Sequence, residues 1–114
     1  MAKIYHNPRC GQSRTTLELL NEAGVEVEVI EYLKNPLSKE ELKQLIPQMG
    51  LSVRGLLRTH EARYAELGLE DESLSDEQLL DAMVAEPVLM NRPIVVTDKG
   101  VRLCRPPETL HEIL

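Results

Sequence analysis

The 114-residue sequence is poor in cysteine and histidine and contains no long apolar run. Two cysteines are too few for the disulfide framework of a small secreted protein, and three scattered histidines match no metal-ligand spacing. Phe and Trp are absent, so Leu, Ile, Val and Met must form the core. No apolar run approaches the ~20 residues that cross a bilayer, and the N-terminus lacks the apolar region of a signal peptide. We therefore expect a cytoplasmic protein with no metal, no bound cofactor and no membrane partner.

The charged residues are unevenly distributed. The net charge is −6, which disfavours nucleic acid as a partner. Acidic residues gather between Glu61 and Glu86. Five of the eight arginines lie in or beside predicted strand ends: Arg9, Arg14, Arg92, Arg102 and Arg105. An acidic chain with local arginine clusters indicates a site for a small anion rather than a broad basic surface.

The hydrophobic pattern predicts strands over 3–5 and 25–33 around a helix over 13–23, which together form a right-handed parallel unit. Capping boxes at Ser38 and Ser75 and a short segment over 52–57 predict further helices, with an irregular stretch around Tyr64. Residues 93–97 and 101–104 predict a hairpin, and Pro106-Pro107 opens a last helix. This order predicts an α/β protein with the thioredoxin-like fold. It would be a single domain over 1–114, with a mixed four-stranded sheet (β-α-β, then β-β-α) and a helical insertion at about 36–88.

The segment 6–11, His-Asn-Pro-Arg-Cys-Gly, places a cysteine where the first strand ends and a helix begins. A helix N-terminus carries about half an elementary charge and unpaired N–H groups, and both favour thiolate over thiol. Arg9 and Arg14 add positive charge, and Ser13 is predicted to be the N-cap. We therefore predict that Cys10 is a nucleophile.

His6, four residues before Cys10, has two possible roles. As a cation it would help to hold the thiolate, and as a neutral group it would hydrogen-bond to the loop. The sequence leaves both roles open. No other candidate functional residues accompany His60 or His111 in the sequence, so we assign these two histidines no role.

The residues after Cys10 restrict its chemistry. Ser13 stands where a second cysteine would complete a Cys-x-x-Cys pair, so redox turnover needs an external thiol such as glutathione. Thr16 occupies the position at which a phosphatase Cys-x5-Arg loop requires arginine, and this excludes that class. Cys104 precedes Arg105 in a predicted strand and is predicted to pack in the core.

Three arginines are candidates for oxyanion binding: Arg58, Arg92 and Arg105. Arg92 precedes Pro93, a cis-proline candidate by fold analogy, and in a thioredoxin-like sheet that position faces the nucleophile's loop. Arginine suits bidentate contacts with oxyanions. Opposite charges ~4 Å apart at an effective dielectric constant of ~20 gain up to ~4 kcal/mol, roughly three pKa units. One such arginine would make Cys10 mostly thiolate at neutral pH, and several would also bind a divalent oxyanion.

Four segments together resemble the glutaredoxin-coupled arsenate reductases of the ArsC family: 4–14 (Ile-Tyr-His-Asn-Pro-Arg-Cys-Gly-Gln-Ser-Arg), 52–58 (Ser-Val-Arg-Gly-Leu-Leu-Arg), 91–97 (Asn-Arg-Pro-Ile-Val-Val-Thr) and 102–106 (Arg-Leu-Cys-Arg-Pro). The resemblance implies that Cys10 is catalytic and that His6 helps to lower its pKa. It also implies that Arg58, Arg92 and Arg105 bind the oxyanion. We expect Ser13, Arg14 and Pro93 to support this site.

The resemblance further implies a reaction. The Cys10 thiolate would attack arsenate, glutathione would attack the adduct, and glutaredoxin would resolve the mixed species so that arsenite leaves. The single-thiol motif and the short C-terminal end are also compatible with a second hypothesis. In this hypothesis the protein is a glutathione-dependent thiol oxidoreductase with another substrate. A regulator that binds RNA polymerase is a third. Ser13 disfavours it because the usual switch disulfide cannot form.

Overall fold

The computed structural model describes all 114 residues, Met1–Leu114. The strands and helices are, in chain order, β1 (Ala2–His6), α1 (Gly11–Glu22), β2 (Val27–Glu31), α2 (Lys39–Gln48), a 3₁₀ turn (Arg54–Leu56), α3 (Ala62–Glu66), α4 (Asp76–Ala85), a 3₁₀ turn (Pro87–Leu89), β3 (Ile94–Thr97), β4 (Gly100–Leu103) and a 3₁₀ segment (Pro107–Glu112). None of these helices has the length and apolar character needed to cross a bilayer. By contacts the chain forms two compact units, Met1–Asn35 with Arg92–Leu114, and Pro36–Asn91.

The first unit contains a mixed four-stranded sheet of order β2-β1-β3-β4. β1 runs parallel to β2 and antiparallel to β3, and β3 and β4 form a hairpin in which Thr97 pairs with Gly100. This is the predicted thioredoxin-like arrangement, which is confirmed. The predicted insertion at about 36–88 falls inside the second unit, and a single domain over the whole chain stays a prediction.

One apolar cluster joins α1, the sheet and the C-terminal 3₁₀ segment of the first unit. Its buried members are aliphatic or sulfur-containing, as the lack of Phe and Trp requires: Ala2, Ile4, Leu20, Val95, Cys104, Leu110 and Ile113. α1 ends in a Schellman motif, because the Gly24 N–H reaches the Asn21 carbonyl and the Val25 N–H reaches the Leu20 carbonyl. Gly24 has φ +70°, a conformation that glycine adopts without strain. The packed core holds α1 against the sheet, and this turn leads the chain from α1 towards β2.

The second unit is helical. The capping boxes at Ser38 and Ser75 are both present and begin α2 and α4, which pack together. Leu57 and Met90 form an isolated bridge, and the Arg58 N–H donates to the Leu89 carbonyl at 2.8 Å. The segment that carries Arg58 is therefore fixed to the segment before β3.

The structure corrects two local expectations. α1 begins at Gly11 with Cys10 as N-cap, so the prediction that Ser13 is the N-cap was wrong. The chain around Tyr64 is a helical turn, α3, rather than irregular, because the Arg54 guanidinium bonds to the Tyr64 hydroxyl at 3.0 Å and to the Leu69 carbonyl at 2.7 Å. The helices predicted near 52–57 and at the C-terminus are both present, as 3₁₀ segments.

Candidate active site

The loop between β1 and α1 is a tight turn that ends at Cys10. The Cys10 N–H donates to the Asn7 carbonyl and the Arg9 N–H donates to Asn7 Oδ1, each at 3.0 Å. Arg14 Nη1 donates to the Pro8 carbonyl at 2.9 Å, so the supporting role predicted for Arg14 has a structural counterpart. These bonds hold a partly exposed thiol at the first turn of α1.

Hydrogen-bond donors, two of them arginine side chains, surround the thiol. Cys10 Sγ accepts hydrogen bonds from the Ser13 backbone N–H and from the Arg92 and Arg105 side chains. The distance from Arg105 Nη1 to Sγ is 3.7 Å. Burial of the thiol opposes ionisation, but these donors and the charge of Arg92 together outweigh it and lower the pKa of Cys10 from 9.0 to about 7. About half of the molecules therefore carry a reactive thiolate at neutral pH.

Arg92 and Arg105 occupy equivalent places, each directly before a cis-proline. The Arg92–Pro93 and Arg105–Pro106 peptide bonds are both cis, which confirms the expectation for Pro93. Arg105 Nη1 also donates to the Arg92 carbonyl at 3.0 Å, and the Cys104 N–H donates to the Pro93 carbonyl at 2.9 Å. The pairing of the β3 and β4 segments thus brings both guanidinium groups to the nucleophile's loop.

His6 and Ser13 form a buried pair behind this loop. Ser13 Oγ lies 2.6 Å from His6 Nδ1 and accepts the Asn7 N–H at 3.0 Å. Burial lowers the pKa of His6, with a further contribution from Arg14, against the opposing effect of Glu31. His6 is therefore neutral at neutral pH. Of the two roles left open by the sequence, the geometry fits the neutral loop-orienting one and does not fit a cation beside the thiolate.

We expect His6→Ala to raise the pKa of Cys10 less than Arg105→Ala does, because a neutral imidazole supplies no positive charge. The effect of His6 would pass through Ser13, whose N–H faces the sulfur. The rate of Cys10 alkylation against pH measures both variants. His6→Asn, which can still hydrogen-bond to Ser13 Oγ, serves as the matched control and should behave like the wild type. A rise in His6→Ala as large as that in Arg105→Ala would contradict a neutral His6.

Arg58 belongs to the second compact unit. Its guanidinium Nε lies 3.8 Å from Glu61 Oε2, and its backbone N–H is bound to the Leu89 carbonyl. Both contacts lie within that unit, and the oxyanion-binding role of Arg58 stays a prediction.

Cys104 differs sharply from Cys10. Its side chain is fully buried in the first unit's core, and this burial raises the pKa of the Cys104 thiol to about 12. It therefore remains a neutral thiol, as core packing requires. No group of three or more His, Cys, Asp and Glu side chains lies close enough to hold a metal ion.

Sequence reasoning overlooked Asn7, a buried residue that organises the loop through its carbonyl, its side-chain oxygen and its N–H. The Asn-Pro dipeptide is a known turn signal and would have identified it. Thr16, also buried, donates from Oγ1 to the Gln12 carbonyl at 2.8 Å and packs within α1. Asn7 therefore belongs with Ser13 among the residues that shape the loop around Cys10.

The sheet, the thiol at the N-terminus of α1 and the cis-proline loop define a thioredoxin-like protein with one activated cysteine. The model of the ArsC family matches residues 5–113. This chain belongs to the ArsC family.

Individual relatives cover most of the chain. An arsenate reductase of Acidiphilium multivorum is 56% identical over 111 residues, which are 97% of this chain and 79% of the relative. An arsenate reductase of Escherichia coli strain K12 is 52% identical with the same coverage. The solved structure of arsenate reductase from Vibrio cholerae matches with a TM-score of 0.96 at 49% identity, covering 99% of this chain and 97% of that one.

Proposed function

We propose that this protein is an arsenate reductase in which Cys10 is the nucleophile and glutathione and glutaredoxin supply the electrons. The observation that carries the proposal is a thiol with a pKa of about 7 that accepts hydrogen bonds from two arginines. Phosphate-like oxyanions bind such paired guanidinium groups well. The ArsC relatives that are named arsenate reductases support arsenate as the oxyanion.

Arg92 and Arg105 have two roles in this proposal. Before substrate binds, their charge favours the Cys10 thiolate. Once arsenate is bound, the same groups neutralise its oxygens, so that a negative sulfur can approach a negative substrate. We assign Arg58 a third oxyanion contact on the family resemblance.

The first two steps are substitutions at arsenic and involve no electron transfer. Cys10 Sγ forms a bond to arsenic, an As–O bond breaks, and the oxygen leaves as water after protonation. Glutathione then forms a second S–As bond, and its thiol proton leaves with another hydroxyl as water. Arsenic remains As(V) through both steps.

Reduction occurs in the third step. A glutaredoxin thiolate attacks the glutathione sulfur, the S–As bonding electrons pass to arsenic, and As(V) becomes As(III). The two thiols leave as a mixed disulfide. Water then replaces Cys10 on arsenic, which releases arsenite and the free thiol. Ser13 cannot supply the second thiol, so an external one is needed.

The experiment that tests this proposal is arsenite formation by the purified protein with arsenate, glutathione and glutaredoxin. We expect turnover with both thiols and a fall to background when either is omitted. Full turnover without glutaredoxin would contradict the proposed electron donor. Reduction of a glutathionylated peptide with no arsenite formation would instead support the thiol oxidoreductase hypothesis.

A further inference from the structure

A cleft of about 410 Å³ lies beside the nucleophile's loop in the first unit. One wall is the loop after β1 and the other is the chain at the end of β2, and the lining residues are His6, Asn7, Pro8, Arg9, Glu31, Leu33 and Lys34. The volume falls within the range of ~300–1,000 Å³ usual for small-molecule sites. None of the reaction steps above accounts for this cleft.

The cleft carries both signs of charge. The Arg9 guanidinium makes no hydrogen bond or ion pair, although the Arg9 backbone N–H is bound to Asn7. Lys34 Nζ lies 3.6 Å from Glu31 Oε1, and both side chains are exposed, so this pair is weak and easily exchanged for a ligand. Two cations and one carboxylate give the cleft a net charge of about +1 when His6 is neutral. A ligand with two carboxylates and one ammonium group would complement it.

A histidine with one ring nitrogen that has no partner in the protein also lines the cleft. His6 is 6% exposed, and its Nδ1 lies 2.6 Å from Ser13 Oγ. That oxygen also accepts the Asn7 N–H at 3.0 Å, so Nδ1 already has a partner within the protein. The other ring nitrogen, His6 Nε2, makes no hydrogen bond within the protein. Nε2 is therefore available to hydrogen-bond to a polar group of a ligand in the cleft.

The cleft is lined by residues that directly precede the nucleophile in the chain. Asn7, Pro8 and Arg9 form one wall, and the next residue is Cys10, whose N–H is bound to the Asn7 carbonyl. Consecutive Cα atoms lie ~3.8 Å apart, so the Cα atom of Arg9 in this wall lies ~3.8 Å from that of Cys10. Cys10 itself does not line the cleft, so a ligand held there must extend past Arg9 to bring a reactive group to a substrate attached to Cys10.

We propose that this cleft binds the thiol co-substrate: a small anionic peptide thiol with two free carboxylates and one free amino group, such as glutathione. The proposal rests on the proposed function, and it adds the place and the residues that recognise the thiol. Arg9 and Lys34 take the carboxylates, Glu31 takes the ammonium group, and His6 Nε2 hydrogen-bonds to a peptide group of the thiol. The bound thiol forms an S–As bond to the Cys10 adduct while an As–O bond breaks. Its proton leaves with that oxygen in water.

Steady-state kinetics of arsenite formation test the proposal. We expect Arg9→Gln and Glu31→Gln each to raise the KM for glutathione about tenfold, as loss of one charged contact would, and to leave the KM for arsenate unchanged. Lys99→Gln and Glu28→Gln make the same charge changes outside the cleft and should match the wild type. The KM for dithiothreitol, an uncharged thiol, should be the same in all of these proteins. Unchanged glutathione KM values in both cleft variants would overturn the proposal.

A binding measurement separates this proposal from the proposed function. S-methylglutathione cannot form an adduct or a disulfide, so its binding is independent of turnover. We expect it to shift the His6 and Arg9 NMR signals of the wild type, and to bind about tenfold more weakly to Arg9→Gln. If no thiol supports arsenite formation, the proposed function fails while this binding result still stands. Absence of any shift at these residues would refute the cleft assignment even in an active enzyme.

Discussion

Cys10→Ser is expected to reduce arsenite formation to background, a loss of at least about 10³-fold. Serine keeps the size of the side chain and can still hydrogen-bond to the Ser13 N–H. Its hydroxyl, however, does not ionise near neutral pH, so no nucleophile attacks arsenic. Arsenite produced per minute with glutathione and glutaredoxin present measures the loss.

Cys104→Ala is the matched control for this result. Cys104 is fully buried and its thiol has a pKa of about 12, so it supplies no thiolate. The variant should retain activity, although removal of a buried sulfur costs some stability. Comparable turnover by Cys10→Ser and the wild type, or an equal loss in Cys104→Ala at full folding, would contradict the assignment of the nucleophile.

Arg92→Ala and Arg105→Ala are expected to lower kcat/KM for arsenate about 10²- to 10³-fold each, the cost typical of one lost oxyanion donor. Both arginines also hold down the pKa of Cys10. Activity should therefore rise with pH through about 7 in the wild type, whereas in the variants this rise moves to higher pH. The pH profile of kcat/KM separates the two contributions, because raising the pH restores the thiolate but not oxyanion binding.

Arg102→Ala is the control on the neighbouring strand. Its guanidinium Nε binds Glu112 Oε1 at 3.0 Å and takes no part in the site. The variant should keep the wild-type pH profile. Arg105→Lys keeps the charge without the planar fork and should fall between the wild type and Arg105→Ala. A wild-type pH profile of kcat/KM in both Arg92→Ala and Arg105→Ala would show that these arginines do not lower the pKa of Cys10.

Much of the fold was predictable because each local signal agreed with its neighbours. Alternation in the strands, the capping boxes at Ser38 and Ser75, and the loop at 98–99 of the hairpin depend only on nearby residues. The start of α1 was not predictable in this way. The Ser13 side chain could serve either the helix terminus or the loop, and contact with buried His6 and Asn7 decided in favour of the loop.

The site was predictable in its residue types but not in its geometry. A cysteine between a strand and a helix predicts an activated thiol from local chemistry alone. The contact between Arg105 and Cys10 spans 95 positions of sequence and depends on strand pairing through β1, β3 and β4. The neutral state of His6 likewise depends on burial, which no single residue encodes.

Titration of the Cys10 thiolate shows directly whether the site activates this cysteine. Ultraviolet absorbance of the thiolate, taken as the difference between the wild type and Cys10→Ser, removes the contribution of every other group. We expect a pKa of about 7 for Cys10 in the wild type, and a higher value in Arg105→Ala. A wild-type Cys10 that titrates near 9.0, as an unperturbed thiol does, would contradict it.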